Sequence, residues 1–195
     1  MARPRNFDES TVLEGAVEIF REKGYEGASV PELISRLGIC RQSLYNTFTD
    51  KHGLYLQVLE LWGRREVDAK IDLLVAEGSP LENVRTLIRG FAALAPSCPS
   101  EGCLTVTAMV ETRDDPAVLA IVEEQVSRLE QGFGEALARA RDLGELKASV
   151  RPERLARAIT TTCYGMGLLS RLSSSGARIG DTVSVLLEQL EEVAT

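Results

Sequence analysis

Hydrophobic positions along this chain recur at the spacing of a helix from Asp8 almost to the end, and no stretch makes a convincing strand. Val12, Leu13, Ala16, Ile19 and Phe20 form the first stripe, on a segment from Asp8 to Lys23 that Gly24 ends. After a turn from Gly24 to Ser29, Leu33, Ile34 and Leu37 mark a second, short helix. Gly38 supplies the left-handed or tight backbone that stops it, and Ile39 anchors the turn in the core. A third helix begins near Arg41. On it Leu44 and Phe48 share one face, Gln42, Ser43, Asn46 and Thr47 point largely the other way, and Arg41 and Tyr45 take the flank nearer the core. Two short amphipathic helices meeting at a glycine predict a helix-turn-helix. The outward face suits a recognition helix, because Arg and Gln pair with guanine and adenine edges in the major groove while hydroxyls and Tyr reach phosphates. The competing reading is an ordinary two-helix corner with a solvated face.

The helical pattern continues. Asp50 reads as the cap of a long fourth helix towards Val75, with Leu54, Val58, Leu61 and Trp62 on its apolar side. Ser79-Pro80-Leu81-Glu82 is a capping box with proline at the first helical position, opening a helix to about Ala95. Pro96 to Gly102 is a loop, Cys103 to about Glu111 a short helix, and Asp115-Pro116 caps a long one reaching Leu143 and stopped by Gly144. Pro152 opens another, to about Leu172, and Asp181 caps the last, to about Val193. The expected fold class is all-α, with an N-terminal three-helix domain over residues 1–52 and a larger helical domain over residues 53–195.

The formal charge of −7 runs against a nucleic-acid partner until its distribution is considered. Residues 1–52 carry seven Lys and Arg against eight Asp and Glu, so the acidity lies mostly beyond them. Such a mixed domain binds non-specific DNA weakly and needs dimerisation to build affinity. Arg3 and Arg5, ahead of the first helix, are placed to follow a phosphate or enter a minor groove, unless they belong to an unstructured terminus. No apolar run is long enough to span a bilayer and no leader precedes a cleavage site, so the expectation is a soluble, cytoplasmic protein. Cys40, Cys98, Cys103 and Cys163 make no CxxC or zinc-finger spacing, and the one histidine, His52, lies beside Lys51. No metal, no cofactor and no catalytic residues are expected, and the chain is not read as an enzyme.

The motifs Gly24-Tyr25-x-Gly27-Ala28-Ser29, Leu37-Gly38-Ile39, Ser43-Leu44-Tyr45-Asn46-Thr47-Phe48 and Asp50-Lys51-His52-Gly53-Leu54, in this order after a first helix, resemble the TetR family of one-component transcriptional regulators. The resemblance implies that Arg41, Gln42 and Ser43 open the recognition helix and approach base edges or backbone, and that Tyr45, Asn46 and Thr47 contact phosphates or bases. It implies that Lys51 touches a phosphate from the next helix, and that Ser29 is the hydroxyl residue before the second. Two residues depart from the pattern: Pro31 stands where some members have a DNA-contacting Arg, and Cys40 where Ser or Thr commonly caps the recognition helix.

Small residues on the penultimate helix (Ala156, Ala158, Thr160, Thr161, Thr162, Gly165, Gly167) permit close helix approach, and Val183, Leu186, Leu187, Leu190 and Val193 form a stripe on the last that must be covered. In a TetR-like protein these two helices pair with their copies, giving a homodimer on a palindromic, double-stranded operator. Such a protein is a repressor released by a small-molecule inducer. The inducer, which the sequence does not name, enters the C-terminal ligand-binding and dimerisation domain. Trp62, Phe91, Met109, Phe133, Tyr164 and Met166 are candidates to line that site, although large apolar residues more often fill cores than touch ligands.

Gly102-Cys103-Leu104 resembles the start of the corresponding helix in a TetR branch that includes sensors of electrophiles. A thiol at a helix N-terminus favours its nucleophilic form, and Cys98 is placed to resolve an oxidised Cys103, so a thiol-based sensor is the alternative within the class. From other classes, a helical carrier or an enzyme without DNA binding is the remote alternative.

Overall fold

A computed structural model describes residues 8–92, 103–172 and 175–195. Among the described residues there are nine helices: α1 (Glu9–Gly27), α2 (Val30–Leu37), α3 (Arg41–Phe48), α4 (Lys51–Val75), α5 (Pro80–Ala92), α6 (Leu104–Glu111), α7 (Pro116–Asp142), α8 (Pro152–Leu169) and α9 (Ser175–Val193). They fall into two compact units. The first joins the chain up to Arg64 with Cys103–Glu123, and the second joins the chain from Arg65 with Glu124–Thr195. Arg3, Arg5 and the 96–102 loop lie outside the described residues.

In the first unit, Asp8 caps α1: its carboxylate accepts from the Thr11 N–H at 3.3 Å and from the hydroxyls of Ser10 and Thr11 at 2.6 and 2.7 Å. Those bonds, the hydroxyls foremost, hold its pKa at about 2. Helical bonding persists to Gly27, but Gly24 breaks the helix at φ 71°, ψ 179°, where the sequence places its end. Val12, Ala16, Val17, Ile19 and Phe20 of α1 are buried, as are Leu33 of α2 and Leu44 and Phe48 of α3. Three amphipathic faces thus close on one small core.

The second unit has its own core, in which Leu74, Val84, Ile88, Phe133, Leu137, Ile159, Cys163, Met166, Ile179 and Leu190 meet. Its helix starts follow the local chemistry. Ser79 Oγ accepts from the Glu82 N–H at 3.0 Å, but Glu82 turns to Arg89, and Glu145 instead accepts from Ser79 Oγ and the Leu81 N–H at 2.9 Å each. The Ser79 half of the capping box is therefore made, while a distant carboxylate rather than Glu82 takes a second N–H of the first turn. Asp115 caps α7 through the Ala117 and Val118 N–H groups at 3.0 and 3.3 Å. The isolated antiparallel bridge Leu146–Ala194 ties the residues after α7 to the chain's last residues.

Two boundaries correct the sequence reading. The last helix starts at Ser175 rather than at an Asp181 cap, and Asp181 is an exposed interior residue. Ile179, 1% exposed, extends the Val183, Leu186 and Leu190 stripe by one turn, and that burial outweighs the poor helix propensity of Gly176 and Gly180. At the other end of this connection α8 stops at Leu169, short of Leu172.

Candidate nucleic-acid interface

The recognition corner is built from short-range hydrogen bonds. Ser29 Oγ accepts from the Glu32 N–H at 3.3 Å and starts α2, with Pro31 in its first turn. Gly38, at φ 65°, ends α2 with its N–H bonded to the Ile34 carbonyl, which turns the chain directly into α3. Cys40 occupies the N-cap of α3 but gives no side-chain cap bond to its backbone; its thiol lies 3.2 Å from Ser43 Oγ. That hydroxyl contact, with nearby backbone N–H groups, lowers the Cys40 pKa from its ordinary value. Cys40→Ser restores a capping oxygen and should stabilise the protein by about 1 kcal/mol. A rise of roughly 2–4 °C in the unfolding midpoint is the expected outcome. An unchanged or lower midpoint would show that the cap is not what limits this helix.

On α3, Arg41, Gln42, Tyr45 and Asn46 are exposed, Leu44 and Phe48 are buried, and Ser43 and Thr47 are half-buried. This corrects the sequence wheel, on which Ser43 and Thr47 point outward and Tyr45 lies nearer the core. A wheel treats the two flanks of the Leu44–Phe48 ridge alike, whereas tertiary packing covers only the Ser43 and Thr47 side. Tyr45 is 43% exposed, an aromatic ring presented to solvent on a polar surface.

The corner after α3 is unusually tight. Thr49 has φ 71° and ψ −52°, and the Asp50 N–H donates to the Phe48 carbonyl at 2.8 Å, a γ-turn of the rarer positive-φ form. Asp50 Oδ1 accepts from the Gly53 N–H at 2.7 Å and caps α4, as the sequence indicates. Lys51 therefore leaves the first turn of α4 beside the end of α3. Its ammonium lies 4.3 Å from the centroid of the Tyr25 ring. Two other cations of this unit are held by carboxylates: Arg36 by Glu22 at 2.7 Å, and Lys23 by Glu32 at 3.3 Å.

This geometry is matched along the chain by known proteins. Residues 12–58 match the family described as bacterial regulatory proteins, tetR family, and residues 80–186 match the tetracyclin repressor-like C-terminal domain. The chain belongs to the TetR family. HTH-type transcriptional regulator YezE of Bacillus subtilis (strain 168) is 33% identical over 194 residues, covering 98% of this chain and all of that protein. The HTH-type transcriptional repressor AcnR of Corynebacterium diphtheriae is 30% identical over 184 residues, with 93% of this chain and 88% of that one covered. Among solved structures, a cysteine variant of the TetR family regulator CifR, complexed with a 26-base-pair operator duplex, superimposes with TM-score 0.81 at 28% identity, covering 98% of this chain and all of that one. The chain is thus a DNA-binding transcriptional regulator and not an enzyme. No described helix is long and apolar enough to cross a membrane.

The structure divides the ligand candidates of this TetR-family chain. Phe91, Phe133 and Met166 are buried in the core of the second unit, with half-buried Tyr164 packed against it. Trp62 and Met109 belong to the first unit, both half-buried, and Trp62 lies under the Arg21 guanidinium at 5.0 Å. Among the thiols, Cys103 is half-buried at the N-cap of α6 and free, Cys163 is buried, and burial pushes the Cys163 pKa up to about 12. Cys98 lies outside the described residues.

Sequence reasoning gives no role to Tyr25, Glu111 or Asp115 at this interface. The Tyr25 N–H donates to Glu111 at 2.6 Å, and His52 Nε2 lies 2.6 Å from Asp115 Oδ2. Burial acts to raise the Asp115 pKa, but bonds from the Val118 N–H, His52 and the Ala117 N–H bring it below 3.8. A carboxyl lowered on folding contributes stability above its unfolded value, and that contribution disappears as pH falls through the lower, folded value. Asp115→Asn should therefore flatten the fall in unfolding midpoint below about pH 4. Parallel acid profiles for the two proteins would rule the contribution out.

Proposed function

We propose that this regulator is a homodimeric repressor that binds a palindromic operator through α3 and is released by a small-molecule inducer. The carrying observation is the exposed set Arg41, Gln42, Tyr45 and Asn46 on a helix whose other side is anchored by fully buried Leu44 and nearly buried Phe48. Gln42 and Arg41 meet base edges, Ser43, Tyr45, Asn46 and Thr47 meet bases or phosphates, and Lys51 meets a phosphate from α4. Ser29 does so at the start of α2.

Dimerisation through α8 and α9 is supported by the surface they expose. Ala158, Thr161, Gly165 and Leu168 follow one another along the solvent side of α8, and Val185 stands on α9; Leu168 and Val185 are 49% and 50% exposed. Small residues beside apolar ones allow a second copy to approach closely. Repression is the role of the relative AcnR. The inducer would enter the C-terminal domain, where Phe91, Phe133, Tyr164 and Met166 gather, with Trp62 and Met109 as further candidates. Release requires a ligand with different affinity for the DNA-bound and free states.

A second reading, thiol sensing by Cys103 with Cys98, is favoured by the half-buried Cys103 at the α6 N-cap. The test is binding of the purified protein to DNA flanking its own coding region, with and without reductant, over a salt series. Tight, sequence-dependent binding supports the regulator, and its disappearance on oxidation promotes the thiol reading. Absence of specific binding there and in a random-sequence selection would sink both.

A further inference from the structure

The geometry points to a positioning role for Glu111, the last residue of α6: its carboxylate fixes Tyr25, whose ring holds the Lys51 ammonium where it meets a DNA phosphate. This rests on the reading of Lys51 as a phosphate contact. Glu111 and Tyr25 are 86 residues apart in sequence, yet the Tyr25 N–H donates to Glu111 Oε2 at 2.6 Å. Gly24 makes the approach available. Its φ of 71° suits glycine, and a Cβ there would lie 2.1 and 2.4 Å from the two Glu111 carboxylate oxygens.

Glu111 holds the Tyr25 backbone, and neighbouring rings fix the Tyr25 ring itself. It packs 4.7 Å from the ring of Tyr55, which is fully buried on α4, and stacks at 6.4 Å with Phe20 of α1. The free side of Tyr25 carries the Lys51 ammonium at 4.3 Å. A lysine that grips a phosphate gives up rotamer freedom, and a ring that already orders its ammonium removes part of that cost. The next residue is tied too, His52 to Asp115 of the α6–α7 corner at 2.6 Å. The first turn of α4 is thus held directly by Asp115 through His52, and indirectly by Glu111 through Tyr25, neither carboxylate belonging to the helix-turn-helix. Glu111 acts through Tyr25 and Lys51, so its effect on DNA binding exists only while Lys51 is present.

The probe is a duplex that the wild-type protein selects from a random-sequence pool, with affinity read by fluorescence anisotropy over a salt series. Glu111→Met keeps the bulk and removes the acceptor, and should weaken binding about threefold to tenfold. Glu111→Gln, whose amide oxygen still accepts, should stay within about twofold of wild type. In a Lys51→Ala background, Glu111→Met should cost nothing further. Unchanged affinity in Glu111→Met, a Glu111→Gln loss as large as that of Glu111→Met, or the same loss with and without Lys51 would each overturn the positioning role. If thermal melts show that Glu111→Met does not fold, Tyr25→Leu is carried through the same pair of backgrounds with the same criteria. Should Lys51→Ala itself bind like wild type, the phosphate contact fails and the proposal falls with it. Weakened binding by Lys51→Ala with none by Glu111→Met removes the positioning role alone.

Discussion

Lys51→Ala and Tyr45→Ala should each weaken operator binding at least about tenfold, while leaving the fold and the oligomeric state intact. The separation of binding from stability follows from exposure. Tyr45 is 43% exposed and therefore supports little of the core, and the Lys51 ammonium rests on the outer side of the Tyr25 ring. Lys51 also gives a distinct signature. Log affinity falls with log salt by roughly 0.9 for each phosphate a protein neutralises, so Lys51→Ala in both subunits of the proposed dimer should make that slope shallower by about 1.8. Gln42→Ala should behave differently, costing about 1–3 kcal/mol per half-site at particular bases while leaving the salt slope unchanged. Anisotropy titrations over a salt series, with sedimentation to follow the oligomer, separate these outcomes. Wild-type binding by both Lys51→Ala and Tyr45→Ala would remove α3 and the start of α4 from the DNA.

Gly53→Ala should destabilise the protein by roughly 3 kcal/mol or more. A Cβ at residue 53 would lie 2.0 Å from the Phe48 carbonyl oxygen, far inside van der Waals range. The oxygen has little freedom to retreat, since it accepts the Asp50 N–H of the γ-turn at 2.8 Å. Gly53 cannot retreat either, because its own N–H is held by Asp50 Oδ1 at 2.7 Å. Relief requires the α3–α4 corner to open, which carries the recognition helix off its core. Denaturant unfolding should show the loss of stability, together with a midpoint lower by roughly 6–12 °C. A variant within about 1 kcal/mol of wild type would contradict the tight corner.

The sequence carries the parts of this protein that depend on neighbours along the chain. The caps at Asp50, Ser79 and Asp115 are readable because a side-chain oxygen three residues ahead of an N–H is a local arrangement, while Ser29 follows from the family resemblance. Gly24 and Gly38 are readable as helix stops for the same reason. The Ser175 start of α9 is not, because it depends on burial of Ile179 against other helices. The flank of α3 that faces solvent escapes a helical wheel, which does not record which side its neighbours cover. Glu111 and Asp115 are invisible in the sequence as partners of the reading head. Their hydrogen bonds to Tyr25 and His52 span 86 and 63 residues, and no periodicity links them.

The internal pairing of Arg36 with Glu22 and of Lys23 with Glu32 also bears on how strongly this unit is drawn to DNA of any sequence. A chromosome offers millions of chance duplex sites for each true operator, and a strongly cationic head would be titrated by them. Here two cations of the first unit already face carboxylates of their own, which leaves less free positive charge to attract DNA of any sequence.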